Sequence, residues 1–175
     1  MDGARRVFAE NGIRKASMGD VAVRGGLAKA TLYNHFRTKA DLIAGLVVDD
    51  VAEVAADCCD LAREDLSTAL TRAADAVAQH PVLVGLRTVE PAALLAAGSP
   101  SEGEVWDSIR AHVALILDTA DVSSSVECVD LVCRWLSSHV LSSGSSVGRA
   151  AQARLIAAGL PVAIRTTSFA TPAVT

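Results

Sequence analysis

Aromatic side chains are scarce in this chain: one tyrosine, two tryptophans and three phenylalanines among 175 residues. A β-sandwich or barrel draws on aromatic and β-branched residues and alternates apolar with polar positions. No useful length of this sequence alternates in that way. No uninterrupted apolar run reaches the ~20 residues that a membrane-spanning helix requires, and the start, MDGARRVFAENG, lacks the apolar stretch of a signal peptide. A cytoplasmic protein with no membrane partner is the expectation. Four cysteines are too few, and wrongly spaced, for a disulfide framework or a metal site. Cys58 adjoins Cys59, and Cys128 and Cys133 stand five positions apart, so buried reduced thiols are expected. His80, His112 and His139 keep no metal-ligand spacing either. Neither a metal nor a cofactor is expected. No nucleophile–base pair or pair of carboxylates marks an enzyme.

Lysine is absent after Lys39. Residues 1–45 hold eight bases and four acids, a balance of +4, whereas the rest hold eight bases and sixteen acids, a balance of −8. A basic head on an acidic body points to a head that meets a polyanion. Apolar residues make up 51% of the chain and charged residues 21%. With Ala, Val and Leu dominant, that composition describes a helical protein with a substantial core.

The apolar periodicity is helical throughout. It predicts a first helix over 2–11, with Val7 and Phe8 inward and Gly12 closing it. Ser or Thr followed three residues later by an acid marks helix starts at Ser17, Thr38, Ser101 and Ser124. A long helix follows Thr38. Further helices are expected over 66–79, over 82–97 with a break near Pro91, over 102–120, over 124–141 and over 147–158. Residues 98–100 read as a turn and residues 166–175 as a flexible tail.

Residues 17–39, SMGDVAVRGGLAKATLYNHFRTK, carry the chemistry. They read as two short helices about a glycine-containing turn, the pattern of a helix-turn-helix DNA reader. Ser17 caps the first helix; Val21 and Ala22 face the core. Gly26 supplies the positive φ of the turn and Leu27 anchors it. In the second helix Leu32 and Phe36 point inward, leaving Lys29, Ala30, Thr31, Tyr33, Asn34 and His35 on or near the outer face. Lys29 suits a phosphate or a guanine edge, Asn34 an adenine, and Thr31 a hydrogen bond or a thymine methyl; Tyr33 and His35 suit phosphates. Lys39 begins the next helix, whose N-terminus favours phosphate as well.

The strings FAENG (8–12), SMGDVA (17–22) and KATLYNHFRTK (29–39) resemble the DNA-binding domain of TetR-family transcriptional regulators. The resemblance implies an all-α homodimer. Its N-terminal three-helix helix-turn-helix DNA-binding domain, residues 1–45, is joined by a long helix to a C-terminal helical ligand-binding and dimerisation domain, residues 46–165. By position it implies DNA contacts at Ser17, Lys29, Ala30, Thr31, Tyr33, Asn34, His35 and Lys39. It also implies that a small-molecule effector moves the heads, releasing a repressor from a near-palindromic double-stranded operator. Against the family pattern, a basic arm before helix 1 is expected to be missing, and the chain carries a Gly25-Gly26 pair in the turn and Gly19 where a polar side chain is common.

Beyond residue 45 the expectations are coarser. Cys58, Leu86, Trp106, Ile109 and Arg110 are the expected pocket lining. The nearly all-round apolar helix 124–141 is expected to face a second subunit through Val129, Val132, Trp135, Leu136 and His139. Two alternatives stand beside the regulator: a helical-bundle enzyme or carrier, and a helix-turn-helix interaction module without DNA binding.

Overall fold

The computed structural model describes residues 1–92, 94 and 102–163. Nine helices are defined among them: α1 Asp2–Lys15, α2 Met18–Arg24, α3 Lys29–His35, α4 Lys39–Ala62, α5 Leu66–Gln79, α6 Pro81–Val89, α7 Glu104–Thr119, α8 Val126–Leu141 and α9 Ser146–Gly159. Among the described residues the only β pairing is the isolated antiparallel bridge between Val122 and Val162. The expected turn at 98–100 and tail at 166–175 lie outside the described residues.

The helix starts follow local chemistry. Ser17 and Asp20 form a reciprocal capping box before α2, and Thr38 and Asp41 do the same before α4. Asp65 caps α5 by accepting from the N–H groups of Ser67 and Thr68. Pro81 opens α6, where its missing N–H costs no hydrogen bond. One expected start lies outside the described residues and one needs correction. The described part of α7 follows Gly103, which makes no side-chain cap hydrogen bond, and the expected start at Ser101 is not among the described residues. The cap of α8 is Ser125, not Ser124, and its hydroxyl accepts from the Cys128 N–H. The first helical stretch breaks at Gly12, as expected: with φ 76° and ψ 163° this residue is non-helical, and one further helical turn within α1 runs to Lys15.

Two apolar cores share α4. The head core gathers Ala4, Val7 and Phe8 from α1, Met18, Val21 and Ala22 from α2, Leu32 from α3, and Leu42 and Leu46 from α4. The body core takes Ala55, Cys58 and Ala62 from the far half of α4. Leu66, Ala69, Leu70 and Ala73 of α5 join it, together with side chains of α7, α8 and α9. Burying a Phe or Leu side chain stabilises by about 1.5–3 kcal/mol, so each core holds its own half of the long helix. Val82 of α6 packs on the head core, so α6 bridges the halves.

Candidate nucleic-acid interface

The turn between α2 and α3 is a Schellman closure. The Leu27 N–H donates to the Ala22 carbonyl (2.9 Å) and the Gly26 N–H to that of Val23 (3.2 Å). Gly26 takes φ 64°, where a side chain would be strained. Gly25 stays right-handed and its N–H bonds to Val21 (2.8 Å), so the glycine pair forms a defined turn. Leu27 anchors it only in part, being half exposed.

Helix α3 buries Leu32 alone. Lys29, Ala30, Thr31, Tyr33, Asn34 and His35 are all exposed, while Phe36 is half-buried against the head core. The Lys29 ammonium lies 5.9 Å from the centroid of the Tyr33 ring, within cation–π range. That contact holds a cation and a phenol together on one exposed face. Ser17 is exposed at the start of α2; its hydroxyl accepts from the Asp20 N–H (3.1 Å) and lies 2.7 Å from the Asp20 carboxylate. Hydrogen bonds from Ser17 hold the Asp20 carboxyl below its ordinary value. Arg24 is paired with Glu10 (2.7 Å), which dilutes its charge.

Lys39, an expected DNA contact, is engaged within the head. Its Nζ donates to the carbonyls of Ile13 (2.6 Å), Ala16 (3.0 Å) and Arg14 (3.2 Å). An ammonium has three donors, and all three are engaged on the last turn of α1. Lys39 therefore clamps the start of α4 to the segment before α2. A motif position alone gives no signal of this, because the carbonyls come from residues 23–26 positions earlier in the chain.

The expected pocket residues differ in exposure among the described residues. Cys58 and Leu86 are fully buried, and Trp106 and Ile109 pack half-buried against the body core. Arg110 pairs with Asp107 (2.6 Å). Two open clefts lie elsewhere. One, of about 500 Å³, sits between head and body beside Arg5, Asp50, Arg72 and His80. The other, of about 360 Å³, lies between α4 and α7 beside Ala56, Cys59 and His112. Burial pushes the thiols of Cys58 and Cys133 up to about 11, so both stay protonated.

The residues of the expected dimer seam are largely covered within the single subunit. Val129, Val132 and His139 are buried within their own subunit. Trp135 donates its indole N–H to Gln152 (2.9 Å) and meets the His139 ring edge-on at 5.2 Å. Leu136 is half-buried. The apolar side chains left exposed are Val126, Leu131 and Leu141 on α8 and Val147 and Leu155 on α9. The all-round apolar pattern of α8 marks both faces, and only packing decides which one the subunit keeps for itself.

Sequence reading also missed the ties between head and body. Arg5 of α1 donates through Nε to Asp50 of α4 (2.8 Å), and Asp50 accepts a further contact from His80 Nε2 (2.8 Å) at the corner before α6. Arg87 of α6 donates to the carbonyls of His139 (2.6 Å), Ala78 (2.8 Å) and Val140 (3.1 Å), neutralising the C-terminal ends of α5 and α8.

Residues 1–46 match the sequence model of bacterial regulatory proteins of the tetR family. No curated protein matches the chain in sequence. The solved structure of the fatty acid degradation regulator FadR from Bacillus halodurans superposes at a TM-score of 0.57 with 16% identity, over 91% of this chain and 96% of that one. A second structure, from work on the molecular basis for control of antibiotic production by bacterial hormones, gives 0.54 and 22%, over 90% and 93%. Identities this low establish a likeness of fold, and both likenesses run through head and body alike. With the Schellman turn, the exposed α3 face and the capped start of α4 all inside the matched segment, the N-terminal domain of this chain is a DNA-binding domain of the TetR family.

Proposed function

We propose that this protein is a ligand-responsive transcriptional regulator that acts as a homodimer on a near-palindromic operator and is released as a repressor by a small molecule. The observation that carries the reading is the α3 face. Six consecutive-turn side chains, Lys29, Ala30, Thr31, Tyr33, Asn34 and His35, stand exposed behind a rigid turn, while the same helix buries Leu32. Ala30 and Thr31 let the helix approach base edges closely. Asn34 offers the paired donor and acceptor that adenine matches, and Lys29 offers a cation for phosphate or guanine. The exposed apolar residues of α8 and α9 support pairing of two copies, which sets two α3 helices ~34 Å apart in successive major grooves.

The effector would enter the acidic helical body; of the two proteins of similar fold, one is a fatty acid degradation regulator and the other comes from work on control of antibiotic production by bacterial hormones. The reading places the protein among non-enzymatic cytoplasmic regulators. No helix among the described residues is long and apolar enough to cross a membrane.

Selection of duplexes from a random pool tests the proposal. Enrichment of a two-fold-related sequence, bound with an affinity that falls steeply with salt, is the expected outcome. A pool that stays random, or binding indifferent to salt, would refute it.

A further inference from the structure

The last turn of α1 lies between two clamps of opposite charge. Gly12 breaks the helix, and the Arg14 N–H just after it is met from outside α1. Glu90, the C-cap of α6, supplies one: its carboxylate accepts from the Arg14 N–H (2.9 Å). At the other end, Lys39 takes the carbonyls of Ile13, Arg14 and Ala16. Both ions suit the partial charge of the helix end they meet. Ser17, the cap of α2, is the next residue. Beside the shared head core, the direction in which α2, and behind it α3, leaves α1 is thus set by a single turn, held by Glu90 at the end of α6 and by Lys39 at the start of α4.

Glycine makes the seat possible. A Cβ on Gly12 would lie 3.0 Å from the Glu90 carboxylate and 3.1 Å from Val89 Cγ1, in a backbone conformation (φ 76°) that already disfavours side chains. A Cβ on Gly85 of α6 would lie 2.2 Å from the Ala9 carbonyl oxygen, so α6 rests backbone to backbone on α1. The same α6 is tied by Arg87 to the final carbonyls of α8, three residues before Glu90. A shift at the end of α8 therefore reaches the Gly12 seat through one short helix.

We propose that Glu90 is a positioning residue for DNA reading: through its hydrogen bond to the Arg14 N–H, the body sets the orientation of α2 and α3. The inference rests on the DNA-reading proposal above. The test compares Glu90→Ala, Glu90→Asp and Glu90→Gln with the parent protein. The probes are a duplex that the parent enriches from a random pool and an unrelated duplex of equal length. Amide hydrogen exchange is followed in parallel.

Glu90→Ala is expected to lower affinity for the enriched duplex by about tenfold while changing the unrelated duplex by less than about twofold. Exchange should quicken over residues 13–16 and through α2. Glu90→Gln keeps an acceptor and should recover most of the discrimination. Should the alanine variant fail to fold, Glu90→Asp, which keeps the charge but shortens the reach, is expected to lose about threefold. A lowered melting temperature with unchanged discrimination overturns the proposal, as does exchange altered only in α6. A parent protein that enriches no sequence instead overturns the DNA-reading proposal itself, whatever the exchange pattern shows.

Discussion

At the residue scale, Lys39 shows how a motif position and a side chain's task can part. A lysine at the start of a helix beside a DNA-reading motif suits a phosphate, yet here its ammonium closes three carbonyls at 2.6–3.2 Å. Lys39→Met should cost the head about 1–3 kcal/mol by leaving those carbonyls without a charged partner. Thermal unfolding reads that loss; an unchanged melting point with weakened DNA binding would return Lys39 to phosphate contact. Asn34, exposed on α3, behaves differently. Asn34→Ala should leave stability within about 0.5 kcal/mol. It should relax the base preference at one operator position by about 1–3 kcal/mol, as quantitative binding to single-base operator variants would show. Asn34 was legible in the sequence because it needs only its place on an outer helix face. The clamp of Lys39 was not, because its partners meet it only in the folded head.

At the element scale, helix boundaries follow from short-range chemistry. Asp65 accepts from the N–H groups of Ser67 and Thr68 and from both their hydroxyls, and the hydrogen bond from Thr68 leads in holding its carboxyl down to about 2. A depressed carboxylate pKa contributes stability above the unfolded value, about 3.9, and loses it as pH falls toward about 2. Acid unfolding of Asp65→Asn should therefore lack part of the parent's dependence between those limits; parallel curves would remove Asp65 from the account. His139 in α8 titrates the other way round in charge but with the same sign in stability. Burial first, then Arg149, lowers its pKa, and its Nε2 has no hydrogen-bond partner. Protonation then favours the unfolded chain, so stability falls as pH drops below about 6.5. His139→Leu should flatten that slope in denaturant titrations at pH 7 and pH 5, and an unaltered slope would point to another group. The one-residue shift of the α8 cap, from Ser124 to Ser125, belongs to this scale too. Three consecutive serines give the sequence no means of choosing among them, and the fold selects the one that reaches the Cys128 N–H.

At the scale of the whole molecule, the exposed apolar residues of α8 and α9 are the surface that the proposed homodimer would use. Leu131 and Leu155 are exposed in the single subunit, whereas Val129 and Val132 lie inside it. Leu131→Glu together with Leu155→Glu should split the dimer without unfolding the monomer, since charge placed on exposed positions leaves the core intact. Sedimentation should then show monomers that retain helical circular dichroism and lose operator binding. A dimer that survives both changes would move the interface elsewhere. Within the subunit, head and body are joined by the continuous α4, by Arg5 and His80 meeting on Asp50, and by α6 resting on α1. The long helix after Thr38 is the join expected from the sequence. Packing adds α6, whose Gly85 and C-capping Glu90 touch α1 directly.

The sequence by itself determined the all-α class, the reading helix, the capping boxes at Ser17 and Thr38, and the limits of α5 to the residue. Each of these depends on neighbours within about one helical turn, where spacing along the chain is spacing in space. The tertiary structure alone decided which side of α8 is core and where the clefts lie. It also gave Lys39 to the carbonyls of α1 and set Glu90 against Gly12. Those contacts join residues 23 to 76 positions apart, and no periodicity within either helix specifies which other helix it will meet.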